Sequence, residues 1–140
     1  MPIGRGLAVI AAILTTTTWA SAQEYYLDAD AGDDQNDGLS ETTPKRTLAS
    51  VAGSGFGGGG YEALYLKAGT VNHYETSGLS VRSAIVTRYG PESAERPVIA
   101  GTGTGFGGVT VGQNGVLDGV KVIGSGRVGI SVQGPGAEVR

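Results

Sequence analysis

Short pairs of apolar residues recur along the second half of the chain and are separated by glycine-rich turns. Within each pair the two residues stand at positions i and i+2, so both side chains point to the same face of a strand. Their first members lie 11, 11 and 10 residues apart, which leaves no room for helices between them. This spacing predicts a β-solenoid in which 21 to 22 residues make about one coil, with residues 107–134 as its regular part. The pairs are Val98/Ala100, Val109/Val111, Val120/Val122 and Ile130/Val132.

Alternating or continuous apolar runs also predict strands in the first half of the mature chain. In the first of them, Tyr25 and Leu27 should share one face while Tyr26 lies on the other. A break at Gly90-Pro91 ends the last run, and Pro97 stands at a tolerated position before the next strand. The predicted strands are Glu24–Leu27, Tyr61–Leu66, Val71–Glu75, Leu79–Val81 and Ala84–Tyr89.

The segment from Pro44 to Ala52 predicts a helix of one or two turns. Thr47 can cap its amino end, and Leu48 and Val51 share a face at i and i+3. We expect this helix to cover the open end of the solenoid, which would otherwise expose apolar core and unpaired strand edges.

Residues 1–22 have the composition of a secretory signal peptide. Arg5 precedes the apolar stretch Leu7–Leu14, and Ala20-Ser21-Ala22 matches a small-x-small cleavage site. The apolar stretch is too short to span a membrane. The predicted organisation is therefore a signal peptide at 1–22, an amino-terminal strand, acidic turn and capping helix at 23–60, and solenoid coils at 61–140. We expect the mature protein to be extracellular or periplasmic, and not to associate with a membrane.

Composition narrows the set of partners. The net charge is −3, and removal of the signal peptide with Arg5 makes it −4. A mildly acidic protein of this kind has no means to displace counterions from phosphates, so nucleic acid is excluded as a partner. The chain has no cysteine, so disulfides and thiolate metal sites are excluded, and stability must come from burial alone.

Seven of the thirteen acidic residues lie between positions 24 and 41, with no basic residue before Lys45. Two arrangements would offset their mutual repulsion. Asp and Asn side chains can bond their own backbone in Asx-turns, with Gly32 and Gly38 supplying positive φ, or a hard cation such as Ca²⁺ can be held by carboxylates and carbonyls. An EF-hand is rejected, because Pro44 stands where its bidentate Glu would be. The predicted calcium ligands are Asp28, Asp30, Asp33, Asp34 and Asp37.

Three features together resemble the right-handed parallel β-helix proteins of the pectate lyase superfamily. The first is the acidic turn motif Gly32-x-Asp34-x-Asn36-Asp37-Gly38-x-Ser40-x-x-x-Pro44-x-x-Thr47-Leu48, which follows Tyr25-Tyr26-Leu27. The second is the strand and turn at 63–70, and the third is the set of coil-like segments at 117–122 and 129–132. The resemblance covers most of residues 25–139 and implies an all-β fold, a right-handed parallel β-helix (β-solenoid) with a short amino-terminal capping helix.

The resemblance also implies a secreted, carbohydrate-active protein that acts on an acidic polysaccharide. Many members are polysaccharide lyases that cleave uronate chains such as pectate or alginate by β-elimination. In these an Arg or Lys removes the proton α to the carboxylate, and Ca²⁺, where used, neutralises that carboxylate. Other members are glycoside hydrolases with paired carboxylates or non-catalytic surface and adhesion proteins, and these two functions are the alternatives here.

Few residues in the chain are candidates for this chemistry. Lys121 lies between inward-facing valines and so points outward, and Asp118 precedes it by three residues. Arg127, Arg88 and Lys67 are further basic candidates, whereas the lone His73 has no metal partner at a suitable spacing. Four tyrosines could stack on sugar rings, namely Tyr61, Tyr65, Tyr74 and Tyr89.

Residues 136–140 begin a further strand pair and stop without a closing turn or helix. A solenoid that ended there would expose an apolar stack and a sheet edge. We therefore expect the chain to be the truncated first part of a longer, monomeric protein, with its catalytic residues beyond residue 140.

Overall fold

The structure, a computed structural model, describes residues 22–53, 56, 62–74, 79–101, 108–124 and 129–140. Within these ranges the chain forms eleven β-strands and the short helix α1, Leu48–Gly53. None of the helical structure in these ranges has the length and apolar character of a membrane span. The strands are Gln23–Leu27 (β1), Glu62–Lys67 (β2), Val71–Tyr74 (β3), Leu79–Val81 (β4), Ala84–Tyr89 (β5), Val98–Gly101 (β6), Val109–Val111 (β7), Val116–Leu117 (β8), Lys121–Ile123 (β9), Ile130–Val132 (β10) and Glu138–Val139 (β11).

The strands form three sheets in which every pairing is parallel. One sheet has the order β1-β2-β5-β8-β11, and the other two have the orders β3-β6-β9 and β4-β7-β10. From β2 onward the chain visits the three sheets in turn, so each strand pairs with the equivalent strands of the passes before and after it. The all-β class and the stacked parallel arrangement predicted from the spacing are confirmed, and the arrangement is compatible with a β-helix or solenoid.

The predicted coil length of 21 to 22 residues is found at several points of the stack. Val109 pairs with Ile130, Glu62 with Ala84, and Val116 with Glu138. The pass between β4 and β7 is longer, because Leu79 pairs with Val109. Residues 90–97, which connect β5 to β6, account for part of the extra length.

The core consists of inward-facing columns that run from strand to strand. Leu64, Val86 and Leu117 form one column of the five-stranded sheet, and Val81 and Val111 form part of another sheet's column. These five side chains are essentially completely buried. Each such Val or Leu contributes about 1.5–3 kcal/mol relative to leaving it exposed, which is how a chain without disulfides holds this fold.

One predicted inward pair is wrong. In β6 the fully buried residue is Ile99, whereas Val98 is only partly buried. The parallel register places Ile99 between Asn72 and Val122, and a shift of one residue reverses the face to which a side chain points. The equal spacing of Val98 and Val109 suggested equivalent positions, but the two residues belong to different sheets.

The other predicted pairs occupy the expected columns with different degrees of cover. Val109 and Val111 are fully buried, and Val120 and Val122 both contact the core. Ile130 and Val132 stand in register with Val109 and Val111 but remain 37% and 54% exposed, because β10 lies at the edge of its sheet.

The amino-terminal strand and helix match their predictions. Tyr25 and Leu27 are buried in the core, and Tyr26 lies on the opposite face. Helix α1 packs on β1 and β3 and buries Leu48 and Val51 together. Thr47 caps it, since its Oγ1 accepts a hydrogen bond from the Ser50 N–H at 3.2 Å.

Candidate functional site

The outward face of the β4-β7-β10 sheet carries a row of hydroxyl groups. The strand alternation that turns the apolar residues inward turns Ser80, Thr110 and Ser131 outward, and the register aligns these three residues on adjacent strands. One residue beyond each strand, the same register brings Arg82, Gly112 and Gln133 into a second row.

These two rows border a surface groove of about 410 Å³. Its lining offers hydroxyl, amide and guanidinium groups and contains no carboxylate. Among the lining residues, Arg82 is the one that carries a charge. The lining residues are Ser80, Arg82, Thr110, Gly112, Gln113, Gln133, Gly134 and Pro135.

The side chain of Arg82 lies across the backbone of Gly112 on the next strand. Its Cγ lies 2.8 Å, and its Cδ and Nε 3.3 Å, from the point where a Cβ on Gly112 would stand. Arg82 is exposed, and within the described part of the chain its guanidinium makes no hydrogen bond or ion pair. All of its donors are therefore available to a ligand.

Other basic residues near the sheets are already engaged. Arg88 donates to the carbonyl oxygens of Ala94 at 3.3 Å and Glu92 at 3.2 Å. The Lys67 Nζ lies 5.0 Å from the ring centroid of Tyr89, a cation–π contact. Arg82 differs from both because no group of the described chain uses its charge.

Backbone hydrogen bonds hold the wall of the groove in place. The Gly112 N–H donates to the Val81 carbonyl at 2.8 Å, and the Gln133 N–H donates to the Val111 carbonyl at 2.7 Å. The Asn114 N–H donates to the Pro135 carbonyl at 3.0 Å, which links the turns beyond β7 and β10. The Gln133 Nε2 also donates to the Ser131 Oγ at 2.9 Å. The polar groups thus stand on a framework that is formed before any ligand binds.

The groove is suited to a ligand that is both anionic and rich in hydroxyl groups. A guanidinium presents paired N–H donors that match the two oxygens of a carboxylate. Ser, Thr and Gln side chains both donate and accept, as recognition of sugar hydroxyls requires. A uronate residue of a polysaccharide combines these two kinds of group.

The candidate residues predicted from sequence do not meet in one place. Asp118 follows β8 and is partly buried, whereas Lys121 begins β9 in a different sheet and is exposed. The described residues contain no ion pair between the two. His73 is exposed on β3, and Arg127 lies outside the described residues. None of these residues lines the groove.

Arg82 is absent from the predicted site residues, although the sequence contains a signal for it. Three tetrapeptides share an apolar–hydroxyl–apolar order before a variable fourth residue, and these are Leu79–Arg82, Val109–Gly112 and Ile130–Gln133. Aligning the three tetrapeptides by that order is enough to place Arg82, Gly112 and Gln133 in one row.

The predicted sugar-stacking tyrosines mainly contact one another or the core. Tyr65 stacks on Tyr26 with centroids 4.9 Å apart and an interplanar angle of 15°, and Tyr89 meets the Tyr26 ring edge-on at 5.5 Å. Tyr74 belongs to the core, and Tyr61 lies outside the described residues. Burial, aided by the negative charge of Asp28, raises the pKa of Tyr89 to about 12. Its hydroxyl therefore stays protonated at physiological pH.

The acidic segment bonds to its own backbone, which confirms the Asx-turn interpretation. Asp28 Oδ1 accepts from the N–H groups of Asp30 and Ala31 at 3.0 Å each. The same pattern joins Asp33 to the Gln35 N–H at 2.9 Å, and Asp37 to the Leu39 N–H at 3.0 Å.

The two glycines of this segment serve different purposes. Gly38 has φ +74°, as predicted. Gly32 does not have a positive φ, so that prediction is wrong. Glycine is needed there because a Cβ would collide with the backbone carbonyl of Lys45.

Asp34 has a larger role than a turn residue. Its Oδ1 accepts from the N–H groups of Arg46 and Thr47 at 2.9 Å each and from the Ser50 Oγ at 2.8 Å, while its Oδ2 accepts from the Thr47 Oγ1 at 2.8 Å. Burial alone would raise the pKa of Asp34, but the hydrogen bonds from Ser50, Thr47 and Arg46 outweigh it and lower the pKa. Asp34 thereby ties the acidic segment to the start of α1.

Lys45 supplies a positive charge inside the same segment. It is buried, and its Nζ donates to the carbonyls of Asn36 at 2.8 Å and Asp34 at 3.2 Å. Within the described ranges no group of three or more His, Cys, Asp or Glu residues is placed to hold a metal ion. Calcium binding by the predicted carboxylates stays a prediction.

Comparison with known proteins adds no relative from which a function could be transferred. No protein-family model matches the chain, and no curated protein matches it. The functional argument therefore depends on the groove and on the chemistry of its lining.

Proposed function

We propose that this chain belongs to a secreted, right-handed parallel β-helix protein that binds acidic polysaccharide in the groove over β4, β7 and β10. The observation that carries the proposal is the free guanidinium of Arg82 in a groove whose lining contains no carboxylate. A cation that no group of the described chain neutralises favours an anionic ligand, and the surrounding hydroxyls and amides favour a sugar.

The geometry supports an extended ligand that runs along the stack. Neighbouring strands lie about 4.8 Å apart, so the row of Arg82, Gly112 and Gln133 spans roughly 10 Å. A uronate carboxylate bound to Arg82 would leave the rest of the oligosaccharide to contact the hydroxyl row and Gln133. Because the framework is held by backbone hydrogen bonds, little ordering of the protein has to accompany binding.

Among reactions on such a ligand, the groove favours β-elimination over hydrolysis. Glycoside hydrolysis needs two carboxyl groups that flank the scissile bond, and the groove lining offers none. In β-elimination the charge that develops beside the uronate carboxylate must be stabilised, and a guanidinium bound to that carboxylate provides this stabilisation. We therefore assign Arg82 to binding and neutralising the carboxylate in a polysaccharide lyase.

A non-catalytic glycan-binding protein would use the same contacts without cleaving the polymer. Release of unsaturated uronate from pectate or alginate, followed by ultraviolet absorbance, separates the two functions. Product formation supports the lyase, whereas tight binding without product supports the surface or adhesion protein.

Binding is tested by calorimetry with hexagalacturonate and with maltohexaose as the neutral control. We expect hexagalacturonate to bind more tightly, and Arg82→Gln to weaken it about 10-fold or more, because charge-assisted hydrogen bonds contribute about 1.5–3 kcal/mol. The matched control is Arg96→Gln, which removes an exposed arginine from the loop before β6. Equal affinity for the two oligosaccharides, or equal effects of the two substitutions, would overturn the proposal.

A further inference from the structure

Gly112 occupies the middle of the row formed by Arg82, Gly112 and Gln133. It is buried, and its backbone does not adopt the positive φ that favours glycine. Its N–H and carbonyl are both used, in bonds to the Val81 carbonyl at 2.8 Å and from the Gly115 N–H at 2.9 Å. Backbone conformation therefore does not explain why this position lacks a side chain.

The side chain of Arg82 explains it. A Cβ on Gly112 would lie 2.8 Å from the Arg82 Cγ, which is closer than real Cβ contacts come. Cγ is near the root of the arginine side chain, so a change at the far end of the side chain could not relieve the contact. Arg82 would have to leave its present course across the sheet.

Two neighbouring glycines are required for different physical reasons, which sets Gly112 apart. Gly134 has φ +93°, a conformation that L side chains rarely adopt. A Cβ on Gly115 would collide with the backbone carbonyl of Val81. At Gly112 the closest obstacle is a functional side chain rather than backbone.

We propose that Gly112 is the positioning residue of the groove, whose missing side chain lets Arg82 lie across the sheet where it can bind a uronate carboxylate. The inference rests on the proposed function and adds a requirement to it. The groove needs an arginine on one pass and a residue without a Cβ at the equivalent position of the next pass.

The test is a double-mutant cycle of Gly112→Ala and Arg82→Gln, with trigalacturonate affinity and melting temperature as readouts. Alanine is compatible with the backbone of Gly112, so the melting temperature should not fall. We expect Gly112→Ala to weaken binding by between about threefold and the full loss seen for Arg82→Gln, since that loss is the upper limit for a residue acting through Arg82. In the Arg82→Gln background the same change should alter affinity by less than about 1.5-fold. Gly112→Ser, which introduces the same Cβ, is measured alongside.

The outcomes separate this inference from the function beneath it. Wild-type affinity in Gly112→Ala, with weak binding in Arg82→Gln, overturns the inference and leaves the proposed function standing. Additive effects of the two substitutions also overturn it, because Gly112 would then act on something other than Arg82. Wild-type affinity in both single variants overturns the proposed function and the inference together.

Discussion

Replacing Asp34 should loosen the contact between the acidic segment and helix α1. The carboxylate accepts two backbone N–H bonds at 2.9 Å and two hydroxyl bonds at 2.8 Å from Arg46, Thr47 and Ser50. Hydrogen bonds to a charged group contribute about 1.5–3 kcal/mol each, but partly exposed donors recover water when the acceptor is removed. We therefore expect Asp34→Ala to lower the free energy of unfolding by roughly 2–4 kcal/mol, less than the sum of the bonds.

The pH dependence isolates the contribution of the charge. The pKa of Asp34 is lower in the folded protein than its ordinary value of 3.8, so its ionised form stabilises the fold. That stability is fully present above the ordinary value and is lost as the pH falls through the folded pKa. Asp34→Asn keeps the shape and one acceptor but removes the charge, so it should be destabilising at pH 7 and nearly neutral once Asp34 of the wild type is protonated.

Urea denaturation at pH 7 and near pH 3 measures both effects. The matched control is Asp30→Ala, because Asp30 lies in the same segment and its exposed carboxylate makes no hydrogen bond within the described residues. A loss for Asp34→Asn that is equal at the two pH values would refute the charge argument. A loss for Asp34→Ala no larger than that for Asp30→Ala would refute the structural role.

Two further substitutions test buried polar groups. The hydroxyl of Tyr89 is buried and has no partner in the described part of the chain, so Tyr89→Phe should leave the free energy of unfolding unchanged or raise it. A loss above about 1 kcal/mol in thermal unfolding would mean that the hydroxyl has a partner. Lys45→Met keeps the packed stem but leaves the carbonyls of Asp34 and Asn36 without their donor, and should cost about 1–3 kcal/mol. The exposed Lys121→Met is its control, and an equal effect of the two changes in urea denaturation would contradict the role of Lys45.

The fold can be predicted from sequence wherever short-range alternation decides which face a side chain takes. Leu79–Val81 and Ala84–Tyr89 are strands at the predicted bounds, and Tyr25 and Leu27 point inward as expected. In each case a period of two and a bounding turn suffice, because the other face of the strand must accept polar residues. The cap of α1 is equally local, since Thr47 and Ser50 are three residues apart.

Equivalence between passes cannot be predicted from spacing alone. A period of 11 residues aligns Val98 with Val109, whereas these residues begin strands of different sheets. The pass from Leu79 to Val109 is longer than the pass from Val109 to Ile130. Spacing measured along the chain therefore loses its register at this longer pass, and with it the face that Val98 and Ile99 take.

The candidate site depends on this longer pass, which is why a search for local charge clusters does not find it. Arg82 and Gly112 are far apart in sequence and meet only because β4 and β7 are adjacent in their sheet. Lys121 and Asp118 are close in sequence, yet a turn between β8 and β9 sends them to different sheets. In a stacked parallel fold, residues one coil apart share a surface, whereas residues three apart often do not. Candidate sites in such chains are therefore better sought by comparing equivalent strand ends, as the apolar–hydroxyl–apolar tetrapeptides allow.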